Sequence, residues 1–138
     1  MGCSGLCYEI QQMKYLLSLL MLIASPAWAG WTLVATSSET PPDKYFLDFE
    51  TLRKEGNERR IWQLINLSPN DKYGWGSMRS RNLYDCKNDT VQILSQRIFA
   101  ESFAEGKEVM PAVDSPSQKR DIAPDTIGWI VLKEVCKR

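Results

Sequence analysis

Lys14 is followed by a short apolar run, Tyr15 to Ala24, and then by Ser25-Pro26-Ala27-Trp28-Ala29. A basic residue, an apolar stretch of about 7–15 residues and an A-x-A ending make a secretory signal peptide. Ala27 and Ala29 offer the small side chains that a signal peptidase accepts, and Pro26 stops the helix just before them. A membrane anchor needs about 20 apolar residues to cross ~30 Å of hydrocarbon, which this run does not supply. Residues 13–29 are therefore read as a signal, with cleavage expected between Ala29 and Gly30. Residues 1–12 carry Glu9 and no basic residue, which makes a poor leader. They are read as an upstream extension of doubtful start, since Met13 sits directly before Lys14. Cys3 and Cys7 fall within that discarded part. Leu6 stands where myristoylation wants Ser or Thr, and no apolar stretch precedes Cys7 as it would a lipoprotein cysteine.

Export constrains the fold twice. It leaves a single domain, residues 30–138, whose size buries roughly two-thirds of its unfolded surface around one core. It also places that domain in an oxidising compartment with two cysteines, Cys86 and Cys136. In a small exported domain these read as one disulfide. A loop of about 50 residues would be worth up to ~4 kcal/mol by chain entropy. A reactive thiol, a metal site or a bond between chains are the alternatives, and zinc is disfavoured by two cysteines without His.

The 138 residues hold 17 Lys+Arg, 17 Asp+Glu and no His. Balanced charge and a pI near 6.3 exclude a nucleic-acid binder that works by bulk positive charge. The missing His excludes Ser-His-Asp and Cys-His catalysis, His-ligated zinc and an imidazole switch. Carboxylate pairs remain for acid/base work, Asp48 with Glu50 and Asp85 with Asp89. Asp48 is better placed to bond turn amides, and Asp85 sits beside the expected disulfide. No Gly-rich phosphate loop follows a strand, no nucleophile has a base partner, and no calcium-loop spacing occurs. The expectation is a non-enzymatic protein without catalytic residues, cofactor or metal.

Patterning gives strands first and a helix last. Trp31–Thr36 is β-branched and aromatic, and Pro41-Pro42 closes the polar stretch after it. Tyr45–Asp48 is a second strand, with Asp48 opening a polar turn through Thr51. Arg60–Leu67, apolar on both faces, reads as a central strand. Gly76–Cys86 and Thr90–Ala100 follow, and Val109–Val113 is an edge strand marked by Pro111. Such an edge could pair with a second copy to give a homodimer. Asp114–Ala123 reads as a flexible loop. Asp125 or Thr126 caps a helix to Cys136, with Ile127, Ile130, Val131, Leu132 and Val135 on its apolar side. The expected class is α+β, an antiparallel sheet of five to six strands with one C-terminal helix packed on it.

Trp62, in its apolar strand, and Trp129, on the helix, are expected in the core. Tyr73 and Trp75, set among Gly74 and Gly76, read either as a partly buried hairpin tip or as a contact patch. Arg79, Arg81 and Arg97, with Arg59 and Arg60, could converge to bind an anionic partner, or could form a solvated face balanced by Glu and Asp. Tyr73, Trp75, Arg79 and Arg81 are the candidate contact residues.

Trp31 and Val34 near the start, Tyr45-Phe46-Leu47-Asp48, Thr51-Leu52-Arg53 with Gly56, and Ile61-Trp62 with Leu64 and Asn66 form an ordered series. Ser77, Asp85-Cys86, Ile122-Ala123-Pro124 with Thr126, and Cys136 continue it across nearly all of residues 30–138. In this series the chain resembles the surface-adhesin protein E family of bacterial exported proteins. The resemblance implies an antiparallel sheet of about six strands with a helix packed on it. It also implies a protein that binds host matrix and serum proteins such as vitronectin, laminin and plasminogen. The best-known member is anchored through an acylated cysteine, whereas Gly30 follows the expected cut here. The default location is then the periplasm, with the cell surface or secretion as alternatives and no membrane insertion after signal removal. A soluble periplasmic accessory protein with an envelope component as partner is the alternative function. A hydrolase or small-molecule carrier is a distant third, and no nucleic-acid partner is expected.

Overall fold

A computed structural model describes residues 30–69 and 71–138. The upstream extension and the signal segment lie outside the described residues. The chain runs β1 (Trp31–Thr36), β2 (Lys44–Glu55), β3 (Glu58–Asn66), β4 (Ser77–Asp85) and β5 (Thr90–Phe99). A short 3-10 turn (Ser102–Ala104), β6 (Arg120–Asp121) and a helix, α1 (Ile127–Cys136), complete it. The strands form one antiparallel meander in sequence order, β1 to β6. This is the α+β class with a single C-terminal helix that patterning predicts.

Tight turns make the meander possible. Gly56, at φ +57°, and Asn57 join β2 to β3 by a two-residue hairpin between Glu55 and Glu58. In the β4–β5 turn, Asp85 Oδ1 accepts hydrogen bonds from the amides of Lys87 and Asn88 at 3.0 and 3.1 Å. The Asn88 side chain also donates to this carboxylate, and these bonds hold the Asp85 carboxyl below its ordinary value.

α1 covers one face of the sheet. Val131, Leu132 and Val135 are buried against Ala35, Leu47, Ile61 and Tyr84. Thr126, not Asp125, caps it: its hydroxyl accepts from the Trp129 amide at 3.2 Å and donates to the Ala123 carbonyl. Asp125 sits at φ +62°. Ile130 is 47% exposed, contrary to the apolar side expected of it. It lies a ~100° step before Val131, on the side away from Leu132 and Val135. Trp129 packs at the margin of the core with the Lys133 ammonium 4.0 Å from its ring centre. At the far end, Cys136 is bonded to Cys86, tying the helix to the β4–β5 turn.

Beneath the helix, Asn82 donates to the Gln63 side-chain oxygen at 2.9 Å, and the Tyr84 hydroxyl donates to the same oxygen. Burial pushes the Tyr84 phenol up to about 12. On the opposite face, Phe46, Leu64 and Phe99 are buried, and Phe103 lies 5.3 Å from Phe46. Asn66 Oδ1 accepts from the Phe103 amide at 2.8 Å, and Ser77 Oγ bonds Ala104 and Glu101, so the 3-10 turn folds over one end of this face. Gly76 permits that approach: a Cβ there would stand 2.4 Å from the Ala100 carbonyl oxygen.

Three expectations are corrected. β2 does not stop at Asp48; it continues to Glu55, and the expected turn is a break in register between Asp48 and Arg53. Val109–Val113 is not a strand. It runs beside β5 through isolated bridges, Gln96 with Val113 and Phe99 with Glu108, because Pro111 has no amide to donate. The stretch Asp114–Ala123 is not a free loop: it holds β6, and the Ser117 hydroxyl and backbone bond Ile93 and Gln92.

Three outcomes follow from this packing. Oxidised residues 30–138 should show no free thiol when unfolded, and Cys136→Ala should lower their unfolding free energy by about 2–4 kcal/mol in urea titrations. Ile61→Asp, placing an unpaired charge in the cluster under α1, should cost several kcal/mol by the same measurement. The unfolded chain releases the Tyr84 proton near its ordinary value of 10.0, the folded chain only at about 12. The unfolded state therefore binds fewer protons in that window, and stability present below pH 10 falls as pH rises towards 12. Urea midpoints across this range should fall less steeply in Tyr84→Phe.

Candidate functional site

Side chains alternate between the two faces of a strand, so pairing alone decides which arginines meet. Arg79 faces Leu64 and Arg97, Arg81 faces Trp62, and Arg60 shares their parity on β3. These four lie on the face that α1 leaves uncovered. Arg59 does not join them. It points to the helix side, where its guanidinium reaches the Gly56 and Arg138 carbonyls.

The break in β2 builds one wall of a cleft on this face. Four residues, Phe49–Leu52, stand opposite Ile61 alone, so the strand bulges outwards. Asp48 shapes the bulge by accepting the Glu50 amide at 3.1 Å. The Thr51 hydroxyl donates to the Asp48 carbonyl at 2.7 Å and accepts the Trp62 amide at 3.1 Å. The resulting cleft has a volume of about 380 Å³. Asp48, Glu50 and Thr51 line it together with Arg53, Arg60, Ile61, Trp62 and Arg81.

The cations of this face differ in how far they are already satisfied. Arg60 pairs with Glu55 at 3.4 Å, and Arg97 with Asp114 at 3.3 Å and Glu108 at 4.0 Å. Arg53 bonds back to the Glu50 and Leu52 carbonyls. Surface pairs of this kind are worth about 0–1 kcal/mol. Arg79 lies 5.6 Å from the Trp62 ring centre and 5.4 Å from that of Phe99, and its Nε is buried without a hydrogen-bond partner. Arg81 makes no ion pair and no side-chain hydrogen bond among the described residues. Arg79 likewise makes no ion pair among the described residues.

Tyr73 and Trp75 stack at 4.8 Å in the β3–β4 connection. Asp71 Oδ1 holds the loop by accepting both their amides, at 2.9 and 3.1 Å, and Lys72 lies 4.7 Å from the Tyr73 ring centre. Tyr73 is 61% exposed while Trp75 is half-buried. The four candidate contact residues thus form two pairs. No hydrogen bond, ion pair or ring contact joins the aromatic pair to the arginine pair among the described residues. Sequence reading did not assemble the cleft, whose visible trace is the polar Asp48–Thr51 stretch interrupting an apolar strand.

Asp85 ends β4 and Asp89 lies in the turn to β5, and neither lines the cleft. Among the described residues, no group of three or more Cys, Asp and Glu side chains is gathered to hold a metal ion. Among them, too, no helix is long and apolar enough to cross a membrane.

No curated protein matches the sequence. Solved structures of protein E from Haemophilus influenzae are similar in fold. One superposes with a TM-score of 0.56 at 17% identity, covering 83% of this chain and 91% of that one. A second crystal form gives 0.54 at 18% identity, covering 67% and 80%. Protein E from non-typeable Haemophilus influenzae gives 0.51 at 16% identity, covering 79% and 74%. The family model described as surface-adhesin protein E matches residues 31–137, and the chain belongs to that family.

Proposed function

We propose that the domain from Gly30 onward is an exported, non-enzymatic, adhesin-like module that binds an acidic segment of another protein on its uncovered sheet face. The unpaired Arg81 guanidinium carries this reading. Beside it, Arg79 is already fixed over two aromatic rings, so a carboxylate arriving there meets donors that lose little side-chain entropy. The Tyr73–Trp75 stack in the β3–β4 connection is a separate exposed aromatic feature of the type that dominates protein interfaces. Family membership supports protein binding, and host matrix or serum proteins such as vitronectin or laminin are the first partners to try.

One observation favours a periplasmic envelope partner instead. An acylated anchor would need a cysteine directly after the cut, and Gly30 follows the cut expected after Ala29.

Residues 30–138 should bind immobilised vitronectin or laminin saturably, and less tightly as salt rises. Arg81→Glu should weaken this about tenfold or more, a change of roughly 1.4 kcal/mol, with an unchanged melting midpoint. Protease added to intact cells should remove the native protein. Survival on intact cells, release by osmotic shock and no matrix binding would overturn the adhesin reading in favour of an envelope partner.

A further inference from the structure

Gly30 lies directly against Asp48. A Cβ built on it would stand 2.5 Å from Asp48 Oδ1 and 3.0 Å from Cγ. With φ at +82° as well, only glycine suits the position. The neighbouring Trp31 pairs with Asp48 across the β1–β2 ladder, which fixes the approach. Ordinary bond lengths then put the Gly30 nitrogen within about 5 Å of Oδ1. The Asp48 side chain accepts one hydrogen bond, from the Glu50 amide, and pairs with no cation among the described residues.

In the uncut chain the Gly30 nitrogen is a neutral amide. Hydrolysis of the Ala29–Gly30 peptide bond consumes one water, leaves a carboxylate on Ala29 and an amine on Gly30, and the amine takes up a proton at neutral pH. We infer that this cut completes an ion pair between the new Gly30 α-ammonium and the Asp48 carboxylate at the rim of the cleft. The three donors of the ammonium meet a carboxylate that is otherwise uncompensated. The pair also changes the cleft: with Asp48 neutralised, Glu50 is the one carboxylate left in the lining beside Arg53, Arg60 and Arg81, and the cleft turns more attractive to anions once the leader is gone. The inference rests on the expected cut after Ala29, and stands whichever partner the uncovered face binds.

Two experiments test it separately. Intact mass and N-terminal sequencing of the exported protein should give Gly30 as its first residue; any other first residue overturns the processing step and the inference with it. Independently, chains starting at Gly30 and at Ala29 are prepared from a cleavable fusion, each with Asp48 or with Asp48→Asn. Asn keeps a carbonyl oxygen to accept from Glu50, so the bulge is retained. The Gly30 chain should melt about 2–5 °C above the Ala29 chain, and Asp48→Asn should abolish the difference. Equal melting of the two Asp48 chains, or a difference that Asp48→Asn leaves intact, overturns the ion pair without touching the reading of the uncovered face as a binding surface.

Discussion

The packing of α1 against the middle of the sheet is the contact on which the rest of the molecule depends. A six-stranded meander has two faces, and the described residues supply one ten-residue helix to cover them. Val131, Leu132 and Val135 can occupy only the strip formed by Ala35, Leu47, Ile61 and Tyr84. A helix this short is marginal by itself, so its stability comes from that apolar strip and from the ties at its two ends. Thr126 closes the first turn, and Cys136 fastens the last to the β4–β5 turn. Arg138 adds a contact just beyond, 3.9 Å from the Phe49 ring centre.

The opposite face follows from the same shortage of covering elements. Its end near Phe46, Leu64 and Phe99 is closed by the 3-10 turn, held by Asn66 and Ser77. Over the remainder no described element is laid, and it carries arginines, long side chains that can rest on apolar surface. Arg79 differs: its guanidinium itself lies over the Trp62 and Phe99 rings, with Nε buried. This disposition also explains why Trp62 is only half-buried although it lies within a central strand. It serves as floor for a guanidinium and as lining for the cleft, and the closed core lies on the other side of the sheet.

What could be read from the sequence was what depends on local chemistry. The strand character of Thr90–Phe99, the helix start at Asp125 or Thr126 and the pairing of two exported cysteines each follow from a few residues. The errors arose where the outcome depends on distant ones. Ile130 looks apolar and helical, but its burial is decided by which strip of sheet lies below. The Val109–Val113 segment has strand composition, yet Pro111 leaves it only isolated bridges to β5. Likewise, the cleft needs β2 to bulge opposite Ile61, nine to twelve positions away across the hairpin, so the polar letters Asp48 to Thr51 read locally as a turn.

That bulge links the fold to the proposed function. A regular β2 would bring Phe49–Leu52 into the ladder beside Arg60 and Ile61, closing the space in which Arg53, Arg60 and Arg81 now meet. The Asp48 carboxylate and Thr51 hydroxyl take up amides that the broken ladder leaves without strand partners, which is the condition for keeping such a break in a sheet. Asp48 therefore has two tasks from one position: its Oδ1 holds the Glu50 amide, and the same carboxylate faces Gly30 at the start of β1. The residue that opens the cleft is thus the one through which the beginning of the folded domain acts on the charge inside it.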